Sequence, residues 1–379
     1  MLKVLHVTPA FYPATYYGGP MESTFGLCQA LANQGHSVRV LTTDANGPQT
    51  RLDVDTREAI KSDANLEIRY CRRWGSADFS PRLWATLPAT LKHVDLVHVH
   101  SVFSPSLPPA VAAARAWRKP LVWTPRGAFQ PWTHRTRRMA KWVWENVSLA
   151  LAPTRMAFHV TSQAEKTAVL DRGLAEAVYV IPNGVDVPER LVAKPTADHV
   201  RFLVLGRLHP IKGLDDLLHA CAGLLQTHGR EWQLTIAGPG DDSYTRHLHD
   251  LVQRLGLTKR VHFAGLIARS ERAALFNRHD VLVAPSFTEN FGMAISEALA
   301  HGTPAIATHG TPWEGLIDHQ CGWWVERKVS VLQATMQQAM SAPLQTMGRA
   351  GHAWMRSDFT WQSVAREMGS LYEKLIKSS

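Results

Sequence analysis

Residues 280–297 read Asp280-Val-Leu-Val-Ala-Pro-Ser286, then Phe-Thr, then Glu289-Asn-Phe-Gly-Met-Ala-Ile-Ser-Glu297. An apolar run of strand length gives way to a short polar loop. The loop leads into a small-residue helix that Gly302 stops. Glu289 therefore falls on a loop at the carboxyl end of a strand, and Glu297 in the early turns of the next helix. In open α/β sheets that edge is where ligands bind.

The same alternation runs outward in both directions. Strand-like runs occupy Lys3–Thr8, Ser37–Thr42, Leu66–Tyr70, Leu96–His100, Leu121–Thr124, Ala157–Val160 and Val178–Ile181. Helical stretches such as Met21–Gln34 and Pro108–Trp117 lie between them. At Pro182-Asn-Gly-Val-Asp-Val-Pro188 the chain turns sharply and passes through a mixed polar stretch to His199, which makes this the linker. The alternation then restarts with Arg201–Leu205, Gln233–Ala237, Val261–Ala264, Val281–Pro285, Pro304–Thr308 and Gly322–Val325. A chain of 379 residues is too long for one ordinary core. The expectation is two doubly wound α/β domains facing each other across a cleft, 1–188 and 189–358. An amphipathic helix over 359–379 closes the chain, and periodicity does not say which domain it packs on.

Composition excludes several classes. An apolar content of 45% without repeats or low-complexity tracts describes a globular protein. No stretch approaches the roughly 20 apolar residues of a membrane span, and the short apolar start Met1–Thr8 reads as a buried strand rather than a leader. Cys28, Cys71, Cys221 and Cys321 are scattered singly, which suits a reducing cytoplasm better than a disulfide framework. Charge is uneven: residues 1–190 carry 22 Lys/Arg against 15 Asp/Glu, and the remainder 19 against 17. Between residues 96 and 144 there are eight basic residues (Arg115, Arg118, Lys119, Arg126, Arg135, Arg137, Arg138, Lys141) and no acidic one. Trp117, Trp123, Trp132, Trp142 and Trp144 are interleaved with them. Basic residues mixed with Trp dock on anionic lipid headgroups; a solvated Arg-rich surface helix accounts for the same pattern. Nucleic acid is disfavoured, because no recognised binding module accompanies the stretch.

Four constellations could carry chemistry. Gly18-Gly19-Pro20 precedes a helix start, where glycine lets the backbone approach a ligand and free N–H groups meet an anion; an ordinary turn has the same sequence. Gly206-Arg207 ends a strand, and Lys212-Gly213 follows at a helix start, so two cations can hold a diphosphate. In Val97-His98-Val99-His100 the two histidines share one strand face. With no third ligand nearby a metal pair is disfavoured. His98 then reads as a packed or hydrogen-bonded strand residue, and His100 opens into the cleft. The Glu289/Glu297 pair fits separated glycosidase carboxylates or carboxylates that bind sugar and ribose hydroxyls; hydrolysis asks for a raised-pKa acid, of which the loop gives no hint. Asp53-Val-Asp55 matches a metal-holding D-x-D, but it lies in the polar stretch Arg51–Asp63 with no strand before it and reads as a solvated charge run.

Taken together, these residues resemble glycosyltransferase family 4, retaining enzymes of GT-B fold that use nucleotide sugars. The resemblance spans nearly the whole chain. It runs through Gly18-Gly19, Val97–His100, Pro182-Asn-Gly-Val-Asp186 and Gly206-Arg207…Lys212-Gly213. It continues through Ala237-Gly-Pro-Gly240, Phe263-Ala-Gly265 and Glu289…Glu297. Trp123-Thr-Pro-Arg-Gly127 through Trp132 is similar to members that build cell-surface polysaccharide and lipopolysaccharide. The resemblance implies that Arg207 and Lys212 bind the donor diphosphate, and that Glu289, with the amides of Phe291, Gly292 and Met293, holds the donor sugar. Glu297 would bind the ribose, and His100 would contact the sugar near the reacting centre. Gly18, Gly19, Gly206, Gly238 and Leu266 would complete the donor site, and Arg126 would face the acceptor. It further implies a hexosyltransferase with no cofactor and no catalytic metal. Its partners would be a nucleotide sugar, a saccharide or lipid-linked saccharide acceptor, and an anionic inner-leaflet surface on the cytoplasmic face. The terminal helix would cross back to the first domain. A sugar-nucleotide epimerase of related fold and a non-enzymatic, membrane-docked polyanion-binding protein are the alternatives.

Overall fold

The computed structural model describes residues 1–14, 16, 18–63, 65–75, 78–130, 138–174, 177–227 and 232–378. The chain forms two compact units, Met1–Gly184 together with Trp361–Ser379, and Val185–Thr360.

In the first unit the strands are β1 Lys3–Val7, β2 Ser37–Thr43, β3 Ile60–Asp63, β4 Leu66–Cys71, β5 Leu96–His100, β6 Leu121–Thr124, β7 Met156–Val160 and β8 Val178–Val180. Between them run α1 Gly19–Asn33, α2 Pro81–Leu91, α3 Leu107–Ala116, α4 Arg138–Ala150 and α5 Gln163–Leu170. The strands lie in the order β3-β4-β2-β1-β5-β6-β7-β8. All pairs are parallel except β3·β4. Strand β3 corrects the reading of Arg51–Asp63 as a polar stretch at its last four residues only. It has no alternating pattern to announce it, and it joins the sheet as an antiparallel edge strand against β4.

The second unit repeats the plan. Its strands are β9 Val200–Leu205, β10 Trp232–Ala237, β11 Val261–Gly265, β12 Val281–Ala284, β13 Ala305–Thr308 and β14 Gly322–Val325. Its helices are α6 Leu214–Thr227, α7 Asp242–Arg254, α8 Arg269–Asn277, α9 Met293–Ala300, α10 Gly315–Asp318, α11 Val329–Ala339 and α12 Leu344–Asp358. The order β11-β10-β9-β12-β13-β14, all parallel, is the doubly wound 3-2-1-4-5-6 arrangement. Strand order therefore reverses between β9 and β12, and in the first sheet between β1 and β5.

Each sheet buries apolar side chains on both faces, which is why its strands read as continuous rather than alternating runs. The last helix, α13 Trp361–Lys377, packs on α1 and contributes Trp361, Val364, Met368, Leu371 and Tyr372 to the first unit's core. Trp361 seats it. A Cβ on Gly26 or Gly184 would come within 2.2 or 2.4 Å of the indole, so only glycine leaves room for that ring.

Candidate functional site

In the second unit the candidate residues converge on the switch point between β9 and β12. Arg207 follows β9 and is exposed. A short 3₁₀ turn, Pro210–Lys212, ends at Gly213 in the left-handed region, φ 67°. A Cβ there would lie 2.2 Å from the Pro285 carbonyl oxygen, so glycine is what lets the lysine turn press against the end of β12. Lys212 Nζ then pairs with Glu289 Oε1, and Ser286 Oγ donates to the same oxygen at 2.8 Å. The loop carrying Glu289 is clamped by two main-chain bonds of 2.8 Å, Phe287 N–H to Ile211 O and Glu289 N–H to Gly310 O. Phe291 is buried, and its carbonyl accepts from Trp313 Nε1 at 2.5 Å. Gly292 caps α9 in the left-handed conformation, so Met293 is the first helical residue.

Glu297 lies on the second turn of α9, and Arg272 of α8 bridges its carboxylate, with Nη1 3.1 and 3.3 Å from the two oxygens. Sequence reasoning did not find this partner, since nothing in the spacing of α8 marks one cation among several. Gly206 N–H donates to Ala237 O at 2.9 Å and Gly238 N–H to Gly265 O at 2.7 Å, which laces the ends of β9, β10 and β11 together. Leu266, just beyond, is 62% exposed.

The first unit's switch point holds histidines. Parallel pairing sets His6 of β1 opposite His98 of β5, and ligand atoms of His6, His98 and His100 all lie within 4.8 Å of one another. The expectation that no third imidazole stands near His98 and His100 is thus corrected. A residue 92 positions away arrives through strand order, which local spacing does not encode.

Hydrogen bonds assign the ring protons. The Ile181 carbonyl can only accept, so His159 Nε2–H donates to it at 2.9 Å, and His159 Nδ1 accepts from the Thr124 hydroxyl at 2.7 Å. Thr124 Oγ1 then accepts from His98 Nε2–H at 2.7 Å, and His98 Nδ1 accepts from Tyr372 Oη–H at 2.7 Å. Likewise Arg126 Nη2 donates to His100 Nδ1 at 3.3 Å, and His100 Nε2–H donates to His6 Nδ1 at 2.9 Å. His6 Nε2–H is left buried without a hydrogen-bond partner among the described residues. Every ring lone pair is used, so these residues do not fit a metal ion. Burial, reinforced by the Arg126 charge, lowers the His6 pKa to about 3. Burial likewise takes His159 to about 3, and it holds His98 and His100 well below the usual histidine value.

His100 does not open outward as the sequence suggests: it is only 3% exposed, with both nitrogens engaged. Arg126 explains why. Its backbone is left-handed, φ 58°, and its guanidinium reaches Ser23 Oγ and Thr24 Oγ1 at 2.7 Å, Asn183 Oδ1 at 3.3 Å and His100. The buried Glu165 carboxylate fixes that turn by accepting from Gly127 N–H at 2.6 Å and Thr161 N–H at 2.9 Å. Arg126 thus ties the loop after β6 to α1. Gly18, φ 63°, caps α1, which begins at Gly19. Asp55 accepts from the backbone of Arg57 at 2.6 Å and of Glu58 at 3.3 Å, an exposed turn.

Of the basic and Trp-rich stretch, residues 131–137, with Trp132, Arg135 and Arg137, lie outside the described residues. Helix α4 is described from Arg138 onward, and it packs Trp144 and Leu149 on the core while leaving other apolar residues outside. Glu145 and Ser148 are buried, with Glu145 paired to Arg172 at 2.8 Å, while Met139, Trp142, Val143 and Val147 are 74, 60, 46 and 50% exposed.

A duplicated doubly wound sheet with a cation–carboxylate pair at the second switch point is the architecture expected of a GT-B protein, and comparison with known proteins gives the family. The family model "Glycosyltransferase Family 4" matches residues 17–189, and "Glycosyl transferases group 1" matches 192–353. A glycogen synthase of Mycobacterium tuberculosis is 29% identical over 95% of this chain and 92% of its own. A phosphatidyl-myo-inositol mannosyltransferase of Mycobacterium leprae is 27% identical over 95% and 94%. The solved structure of Anabaena HepE with UDP-glucose superposes with a TM-score of 0.75 over 99% of this chain and 100% of its own, at 20% identity, a likeness of fold. The chain belongs to glycosyltransferase family 4 and is a glycosyltransferase of GT-B fold.

Proposed function

We propose that the chain is a retaining, metal-independent hexosyltransferase. It moves a hexose from a UDP- or GDP-sugar to a hydroxyl of a saccharide acceptor, lipid-linked, in cell-surface polysaccharide or lipopolysaccharide synthesis at the cytoplasmic face of the inner membrane. The observation that carries the reading is the Lys212–Glu289 pair, held by Ser286, at the switch point beside Arg207. It sets a phosphate ligand against a hydroxyl ligand, as the two halves of a nucleotide sugar require.

In this reading Arg207 and Lys212 bind the diphosphate and stabilise the charge that grows on it as the bond from the sugar's C1 to the phosphate oxygen breaks. Glu289 accepts from the sugar hydroxyls, and the amides at Phe291–Met293 sit by the phosphate at the start of α9. Glu297 accepts from the ribose, alongside Gly238 and Leu266. The acceptor oxygen bonds C1 from the face the phosphate leaves, and its proton passes to a phosphate oxygen. His100, Gly18 and Gly19 complete the donor ligands, His100 Nδ1 exchanging its bond from Arg126 for one from a sugar hydroxyl. Arg126 stands on the acceptor side of the same edge. Two fixed cations do here the electrostatic work that a divalent ion does elsewhere.

The name of the Mycobacterium leprae relative supports a lipid-linked acceptor, and the outward apolar face of α4 supports an anionic membrane surface as partner. Thermal-shift screening with UDP- and GDP-hexoses tests the reading, since a ligand of the native state raises its melting temperature. One donor should stabilise the protein, and turnover with it should survive EDTA. No stabilisation by any donor, or an epimerised sugar released without acceptor, sinks it.

A further inference from the structure

Beside the Lys212–Glu289 pair lies an aromatic surface that the donor-binding roles leave unused. Phe287 is 41% exposed although it sits two residues before Glu289 on a loop with almost no freedom. Its N–H is bonded to Ile211 O in the lysine turn, and its carbonyl oxygen lies 2.2 Å from where Gly310 would carry a Cβ. The ring is held as well. The Arg327 guanidinium carbon stands 3.5 Å from the ring centroid, and Arg327 is itself anchored by an ion pair with Asp216 at the start of α6. A large apolar side chain kept at the surface by a fixed backbone and backed by an anchored planar cation is a pre-organised platform. Ordering it for binding costs little further entropy.

The face of an aromatic ring carries partial negative charge. A pyranose has two sides of different chemistry: equatorial hydroxyls around its rim and a patch of axial C–H groups, slightly positive, on its flat face. Such a ring matches an aromatic face in contact and a carboxylate at its edge, and Phe287 and Glu289 supply both from one loop. We infer that Phe287, backed by Arg327, is a saccharide-stacking subsite that takes the C–H face of a hexopyranose ring. The inference rests on the glycosyl-transfer reading for the class of its ligand. The ring could come from the donor hexose or from the acceptor, and the chemistry of recognition is the same.

Saturation-transfer NMR with methyl α-D-glucopyranoside tests this on the full chain, with UDP-glucose as the second arm. The wild type should show saturation of the glucoside's axial C–H protons. Phe287→Ala should weaken that signal about five- to tenfold, and Phe287→Tyr should keep it. Displacement of the glucoside by UDP-glucose but not by UDP assigns the subsite to the donor hexose; simultaneous binding assigns it to the acceptor. An undiminished signal in Phe287→Ala, or none in the wild type, overturns the inference. If Phe287→Ala is undiminished while nucleotide sugars still raise the melting temperature, the subsite falls and the transferase reading stands. If no nucleotide sugar stabilises any variant, the reading itself has failed.

Discussion

The two sheets share one winding, yet their switch points are built from opposite materials. Between β1 and β5 stand buried imidazoles, neutral and locked in tautomer by the chain Tyr372–His98–Thr124–His159–Ile181. Between β9 and β12 stand half-exposed charges, with Lys212 on Glu289 and, nearby, Arg272 on Glu297 and Arg327 on Asp216. A buried neutral chain is satisfied internally and specifies one arrangement. A partly solvated ion pair gains little for stability and, in the proposed function, yields its ligand atoms to an incoming diphosphate or hydroxyl. In the proposed function the second edge exchanges partners, and the first holds a shape apart from His100, whose bond from Arg126 the sugar replaces.

Acid should break the comparison most forcefully. His6 and His159 titrate at about 3 in the fold against the usual 6.5, chiefly because burial disfavours the charged ring. Between those values the unfolded chain binds protons that the fold refuses. Stability is therefore complete above pH 6.5 and is lost as pH falls below it, by up to about 1.4 kcal/mol per pH unit for each such group. The second unit has a smaller counterpart in His279, also lowered by burial and bonded to Leu275 O and Thr235. Hydrogen exchange at pH 5 should show residues 1–184 losing protection before 185–360. Equal loss in both units would remove the distinction.

Next in size is the charged edge. Lys212→Ala should lower turnover about 10²- to 10³-fold, the usual cost of removing one group that stabilises developing charge, with the melting temperature little changed because the pair is partly exposed. Normal turnover would contradict the diphosphate role. A large stability loss would make Lys212 a structural residue like those of the first unit.

Smaller again is Tyr372→Phe. It keeps the ring in the core but leaves His98 Nδ1 buried without its donor. The expected cost is about 1–3 kcal/mol in chemical denaturation, with the donor-induced thermal shift preserved. If the variant is as stable as the wild type, the tautomer chain does not hold α13 in place.

What the sequence made legible follows the same division. The parallel strands were readable because each is a run of buried apolar residues. Strands β5, β6 and β14 fall where Leu96–His100, Leu121–Thr124 and Gly322–Val325 were expected, and Glu289 and Glu297 lie before and within α9. Strand β3 was invisible because the side chains of Ile60, Lys61 and Ser62 are exposed and the strand is joined to β4 by main-chain pairing. The histidine chain was invisible for another reason: His6, His98, Thr124, His159 and Tyr372 meet only once strand order and the docking of α13 are known. Arg126 shows the limit most plainly. As one arginine in a basic stretch it gave no sign of its left-handed backbone or of its bonds to Ser23, Thr24 and His100.

The smallest expected effect concerns a third surface, neither neutral nor ion-paired. Helix α4 turns Met139, Trp142, Val143 and Val147 outward, while Trp144 and Leu149 pack on the core beside buried Glu145 and Ser148. Arg115 bonds the helix's last carbonyl, Ala150 O, at 2.6 Å, which sets one cationic side chain at the C-terminal end of α4. Insertion of such a stripe at a headgroup boundary combines apolar burial with about 1 kcal/mol per basic residue near an anionic surface. Sedimentation with phosphatidylglycerol vesicles should therefore show binding that weakens as salt shortens the reach of the charges and falls a few-fold further in Trp142→Ala. Nucleotide-sugar stabilisation should stay unchanged in that variant, because no residue of α4 is among the proposed donor ligands. Binding that ignores both salt and Trp142 would return α4 to the status of a bare surface helix. Concentration-dependent self-association that Trp142→Ala abolishes would instead make the stripe a contact between two copies of the chain.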